Sequence, residues 1–218
     1  MNNLKKHLRI SGILFTLVVV LWPVMMVVAQ APEHMDEAMI WIQSNRGIFR
    51  MQFFLALLIS PAALYLLTSL LHSITNRYRP MEALGWLFLG AYVVLTSISY
   101  GSQAVLLPGL LASGRWDLAG FWYFESPHSI AYFLNQLGYA FFGGGAIILF
   151  SGFLKCTGWQ KTAGYILVIS GALSIMAFLG LVMEVAWLNF LTIISGFLML
   201  PLGILAIVVG YKKQDRTE

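Results

Sequence analysis

Charge is the commodity this sequence has least of. Asp, Glu, Lys and Arg make up 10% of its 218 residues, against about 25% in an ordinary soluble domain. A water-soluble fold of this length needs a far more ionised surface, so that class is excluded. Cysteine is nearly absent too. Cys156 stands alone, which excludes an intramolecular disulfide and any cysteine-held zinc or iron–sulfur centre. The chain has no phosphate-binding glycine loop, no His-Glu-x-x-His and no Gly-x-Ser-x-Gly, so those nucleotide, metalloprotease and hydrolase chemistries lose their usual carriers. The glycines at 143–145 lie in an apolar run with no Lys or Ser/Thr after them, and read as a packing or hinge feature. His72 and His128 fall at opposite ends of the predicted membrane layer, which excludes them as a bis-histidine haem pair. The acidic stretch with Glu33, His34, Asp36 and Glu37 reads as a solvated loop. No cofactor and no metal is expected.

What fills the chain instead is hydrocarbon. The hydrophobic class makes up 59%, concentrated in runs at about 10–29, 48–72, 83–107, 128–153, 162–183 and 187–211. About twenty apolar residues at 1.5 Å rise cross a hydrocarbon core of about 30 Å. The expected fold is all-α: an integral membrane bundle of six transmembrane helices, a single domain over residues 1–218.

Orientation follows from where the few cations lie. Lys5, Lys6, Arg9, Arg77, Arg79, Lys155, Lys161, Lys212, Lys213 and Arg216 fall on one side, ten of the thirteen basic residues. Arg46, Arg50 and Arg115 fall on the other, among Glu33, Asp36, Glu37, Asp117 and Glu125. The positive-inside bias places both termini in the cytoplasm. The net charge of +4 is thus a topological signal, and no nucleic-acid partner is expected. The amino-terminal run followed by Ala29-Gln30-Ala31 also has the look of a cleavable signal. Pro32 would be an unfavourable first mature residue after Ala31, so the run is read as a retained span, with a cut after Ala29 as the alternative.

Between and within the runs, Trp22-Pro23, Ser60-Pro61 and Pro201 predict kinks. Residues 33–43 predict a short helix on the membrane surface, with Trp41 at the interface. Residues 108–127 carry Trp116 and the aromatics 121–124 at headgroup depth. Residues 184–186 are short enough to force a tight hairpin. Three spans per half would permit an inverted repeat, but no internal similarity supports one. Ser97 with Gly101, Ala140 with Gly144, Ser170 with Ser174, and Ala206 with Gly210 have the spacing that lets helix backbones approach.

Polar residues inside spans should turn toward other helices. His128, Tyr132, Asn135, Gln136 and Tyr139 form one helical stripe in span four, and Thr96, Ser99, Tyr100 and Gln103 a second in span three. Ser170, Ser174 and Ala177 share a side with Glu184, and Asn189, Thr192 and Gly196 share another. Arg50 and Gln52 open span two at similar depth. Five spans thus bring polar groups to the outer half of the bundle. The candidate ligand site is Arg50, Gln52, Tyr100, Gln103, His128, Asn135, Gln136, Glu184 and Asn189; the alternative is that these residues only hold the helices together. Arg50 and Glu184 are candidates for an ion pair. On the inner side, Tyr65, Thr68, Ser69 and His72 share a face, with His72 at the boundary.

Three functions are compatible with this pattern. The leading one is binding or transport of a small molecule or ion. The second is a non-catalytic scaffold or accessory subunit, which would need a protein partner or a second copy. The third is a membrane-embedded enzyme centred on His128, with Glu125 or Glu184 beside it. Membrane lipids are partners in every case. The segment Leu8-Arg9-Ile10-Ser11-Gly12-Ile13-Leu14-Phe15, together with the span count and length, resembles a broad family of prokaryotic six-span membrane proteins catalogued as a domain of unknown function. The resemblance implies a bacterial or archaeal plasma membrane, and brings no activity or site residue with it.

Overall fold

A computed structural model describes residues 2–72 and 80–211. Arg77, Arg79, Lys212, Lys213 and Arg216 of the charge alternation lie outside them, as does most of the basic connection between spans two and three. Among the described residues the chain is helical throughout, with no strand. Six helical stretches are long and apolar enough to cross a membrane: Asn3–Val28, Arg46–Leu71, Met81–Ala112, Ile130–Lys155, Gly158–Val182 and Ala186–Tyr211. The protein is a polytopic membrane protein.

Span one is a single helix, α1 (Asn2–Val28), which passes through Pro23 without interruption. Span two is broken into α3 (Arg46–Leu57) and α4 (Ile59–Leu71) at Leu58. Pro61 has no N–H for the carbonyl of Leu57, and the ladder slips there: Leu58 N–H bonds back to Leu55 O at 3.1 Å. Span three outruns its expected end. After α5 (Pro80–Gly101) comes a π-helical turn, Ser102–Leu106, and then α6 (Leu107–Ala112). Pro108 cannot donate to Ala104, and the N–H of Leu107 reaches back five residues to Ser102 O.

Span four is α8 (Ile130–Phe150), continued by a 3-10 turn, Ser151–Lys155. Ser129 caps α8: its extended backbone stops the helix, and its hydroxyl accepts the Tyr132 N–H at 3.0 Å. Span five is α9 (Gly158–Val182). Span six is a short α10 (Ala186–Asn189) and α11 (Leu191–Tyr211), the latter continuous through Pro201.

Each span packs against its neighbours in sequence, and the first packs against the last, so the six close into a ring. Small residues set the tightest seams. A Cβ on Gly171 of α9 would lie 2.8 Å from the carbonyl oxygen of Gly143 on α8, and one on Gly12 of α1 would lie 2.7 Å from that of Gly203 on α11. Only glycine allows backbones so close. At the proximal end, which holds the start of α1 and the end of α11, His7 Nδ1 and the Tyr65 hydroxyl meet at 2.7 Å and tie α1 to α4. Thr68 and Ser69 donate to their own helix, and His72 is exposed at its end.

The distal end is covered by three short helices: α2 (Met35–Ser44), α6 and α7 (Trp116–Trp122). Ala38, Met39 and Ile42 of α2, Leu111 of α6 and Ala119 of α7 are buried, and Gln43 donates to Leu111 O at 2.7 Å. The connecting segments therefore form a packed lid, with an internal apolar face of their own. Trp41 is partly buried against the core.

Candidate functional site

Inside the ring, in its distal half, lies a cavity of about 500 Å³. Its wall comes from α1, α4, α5, α8, α10 and α11, with Phe124 of the lid segment above; α9 contributes nothing. The wall is apolar over most of its area, with phenylalanine, methionine and aliphatic side chains from all sides. Such a composition, with a few placed polar groups, is that of a small-molecule site.

The polar groups come largely from α8. Asn135, Gln136 and Tyr139 project from successive turns, with Tyr132 above them. The Tyr139 hydroxyl lies 3.4 Å from that of Tyr100 on α5, and Thr192 of α11 donates to Gln136 Oε1 at 2.7 Å. Gln136 therefore lines the cavity and also ties α8 to α11. Asn135 is 4% exposed, and its Oδ1 has no hydrogen-bond partner. The same holds for Asn189 Oδ1 and Trp22 Nε1, on two further residues that line this space. Six enclosed polar atoms lack a partner among the described residues, and half of them surround this one cavity. A buried polar group left without a partner costs about 1–3 kcal/mol, so their concentration here marks a place built for something to bond to.

Four residues of the sequence-derived set, Tyr100, Asn135, Gln136 and Asn189, line the cavity. The other five do not, each for a visible reason. Gln103 is buried in the π turn, where its amide holds the lid: Nε2 donates to Ser102 Oγ and to Trp122 O, and Oε1 accepts the Phe124 N–H at 3.1 Å. Gln52 is buried in α3, and Arg50 is exposed on the same helix. His128 lies before the Ser129 cap, so it stands outside the helical stripe it was expected to begin. It is exposed and makes no hydrogen bond among the described residues. Glu184 also lies past its helix. It is exposed, with φ +57°, and closes the end of α9: the Val185 N–H reaches Gly180 O at 2.8 Å and its own N–H reaches Leu181 O at 3.3 Å. That is a Schellman turn with a non-glycine residue in the left-handed position. No ion pair joins Arg50 to Glu184 among the described residues, so the expected pair is corrected to two separately exposed charges.

Some of the polar convergence ties helices to one another. Ser170 and Ser174 of α9 both meet Ser195 Oγ of α11 at 2.7 Å, and all three are buried. Ser99 of α5 donates to Ala131 O of α8 at 2.7 Å. Trp22, expected only as part of a kink, also lines the cavity. An indole N–H at hydrocarbon depth needs a partner, and that was the available signal.

A smaller hollow of about 320 Å³ lies beside His128, between the distal ends of α8 and α9. Its polar groups are His128 and Ser129, and the Ser129 side chain is occupied by the cap. Glu125 pairs with the Tyr123 hydroxyl at 3.1 Å instead of with His128. Partial desolvation raises the Glu125 carboxyl above its ordinary value, against the opposing pull of the Tyr123 hydrogen bond. Among the described residues no group of three His, Cys, Asp or Glu side chains is placed to hold a metal ion. No family model matches the chain, and no curated protein or solved structure matches it either.

Proposed function

We propose that this membrane protein binds a small molecule in the central cavity, with its termini on the cytoplasmic side of a prokaryotic plasma membrane and the cavity therefore in the outer half. One observation carries the reading: Asn135 Oδ1, Asn189 Oδ1 and Trp22 Nε1 are enclosed, unpartnered and gathered around one apolar space. A bundle held together only by packing gains nothing from leaving three such atoms unmatched in the same place. The charge alternation supports the orientation. Transport would further require the proximal seam of α1 and α11 at Gly12 and Gly203 to part, so binding is the primary event in this reading.

Thiol accessibility tests it. In a Cys156→Ser background, single cysteines replace Asn135, Thr192 or Ser174, and the protein in lipid nanodiscs is treated with a small membrane-permeant maleimide. Positions 135 and 192 should react at least about tenfold faster than 174, equivalent to ~1.4 kcal/mol in barrier. Equal, slow reaction at all three would mean a sealed bundle and favour the accessory-subunit reading.

A further inference from the structure

The cavity's chemistry and the exposed part of its rim say what class of molecule fits. No Asp, Glu, Lys, Arg or His lines it. A charged ligand would leave water for a low-dielectric chamber that offers no counter-charge. The unpartnered groups call instead for a neutral head. Two amide groups and an indole N–H must be met, and a hydroxyl both donates and accepts, so it satisfies an amide presented in either sense.

The route of entry is also marked. Wall residues at the distal ends of α1 and α11 are exposed on the outside of the bundle: Val27 at 75%, Ile193 at 55% and Phe197 at 60%. Proximally the same two helices are pressed together, with Gly12 against Gly203 and Gly210 against Arg9. Distally the contrast is complete at Gly196, where an added Cβ would meet nothing within 4 Å. Six lining helices surround the chamber, and the exposed apolar rim lies on two of them. That rim faces acyl chains if the spans cross a membrane.

We infer that the chamber takes an uncharged, hydroxyl-bearing, single-chain amphiphile from the bilayer, through a side opening between α1 and α11. The hydroxyl head meets Asn135, Asn189 and Trp22, and the chain lies along the apolar wall toward Val27 and Phe197. The inference rests on the binding role proposed above and adds to it the ligand class and the path.

The test uses the full-length protein in nanodiscs and a monoacylglycerol bearing a photoactivatable diazirine near its head group. Cross-linked peptides should map to the distal part of α1 and to α11 around Gly196. Unlabelled monoacylglycerol should compete at least about tenfold better than the carboxylate of the same chain length at pH 8, or the matching trimethylammonium amphiphile. Gly196→Leu adds atoms to open space and keeps a good helix former, so it should fold and lose the labelling. Asn135→Leu should weaken labelling about tenfold, the loss of one buried hydrogen bond. Labelling won by either charged amphiphile, or labelling at the cavity that survives Gly196→Leu, would overturn this inference while leaving a binding cavity in place. Labelling confined to the outer surface, the same with and without Gly196→Leu, joined to slow thiol reaction at 135, would overturn both.

Discussion

Asn135 shows the conflict between stability and site most sharply. Its side chain is buried, and its Oδ1 is unpartnered at the cavity wall. Replacing it with leucine removes an unmet acceptor and adds apolar contact, so Asn135→Leu should stabilise the bundle by ~1 kcal/mol in thermal unfolding. Ser195→Ala should do the reverse, because it strips the shared partner from the buried Ser170 and Ser174. Equal losses for the two variants would make Asn135 a packing residue. Glu184 carries a different strain. A left-handed φ costs a non-glycine residue about 1–2 kcal/mol, so Glu184→Gly should raise stability by about 1 kcal/mol while leaving ligand binding unchanged. A loss of binding would restore Glu184 to the site. Glu125 adds a pH dependence to the lid. Its folded-state carboxyl is raised, so the folded form holds the proton more tightly than the unfolded chain. Its contribution to lid stability is therefore lost as pH climbs from the ordinary glutamate value through the raised one. Amide exchange over 116–124 should quicken across that window, and Glu125→Gln should flatten the response.

At the scale of elements, the π turn links the cavity helix α5 to the lid. It exists because Pro108 withholds an N–H, and it places Gln103 where its amide can hold both Trp122 O and the Phe124 N–H. Phe124 in turn lies against Tyr100 and Tyr132, with ring centroids at 5.8 and 6.0 Å. Pro108→Ala should let the helix regularise, rotate Gln103 away and speed exchange at Phe124 without lowering the helix content seen by circular dichroism. Unchanged exchange would show that the lid holds itself. The sequence made spans legible because hydrocarbon imposes a length and a polarity on any helix that crosses it. It made the α8 stripe legible from Tyr132 to Tyr139 because helical periodicity is local. It failed where a local backbone rule intervened. The Ser129 cap severs His128 from the stripe, and the Schellman turn swings Glu184 out. Gln103 was legible as an inward polar residue, but its partner, the lid backbone, comes from 19 and 21 residues further on.

At the scale of the molecule, a binding role requires that the ring not be filled. Alternating charge, short loops and small-residue spacing predict antiparallel neighbours, and they are silent on whether the first span meets the last. Closure of the ring by α1 and α11 is a tertiary fact, and so is the chamber it creates. The glycines that clamp the proximal seam are at Gly12, Gly203 and Gly210; of these, only Gly210 belongs to a small-residue pair visible in the sequence. The most direct test is a density map of the protein in lipid nanodiscs, with a bound antibody fragment to supply mass. The two helices α1 and α11 should touch proximally and separate distally, with elongated density between them that ends against Asn135. Continuous contact of the two helices along their whole length, with side chains filling the ring, would contradict it.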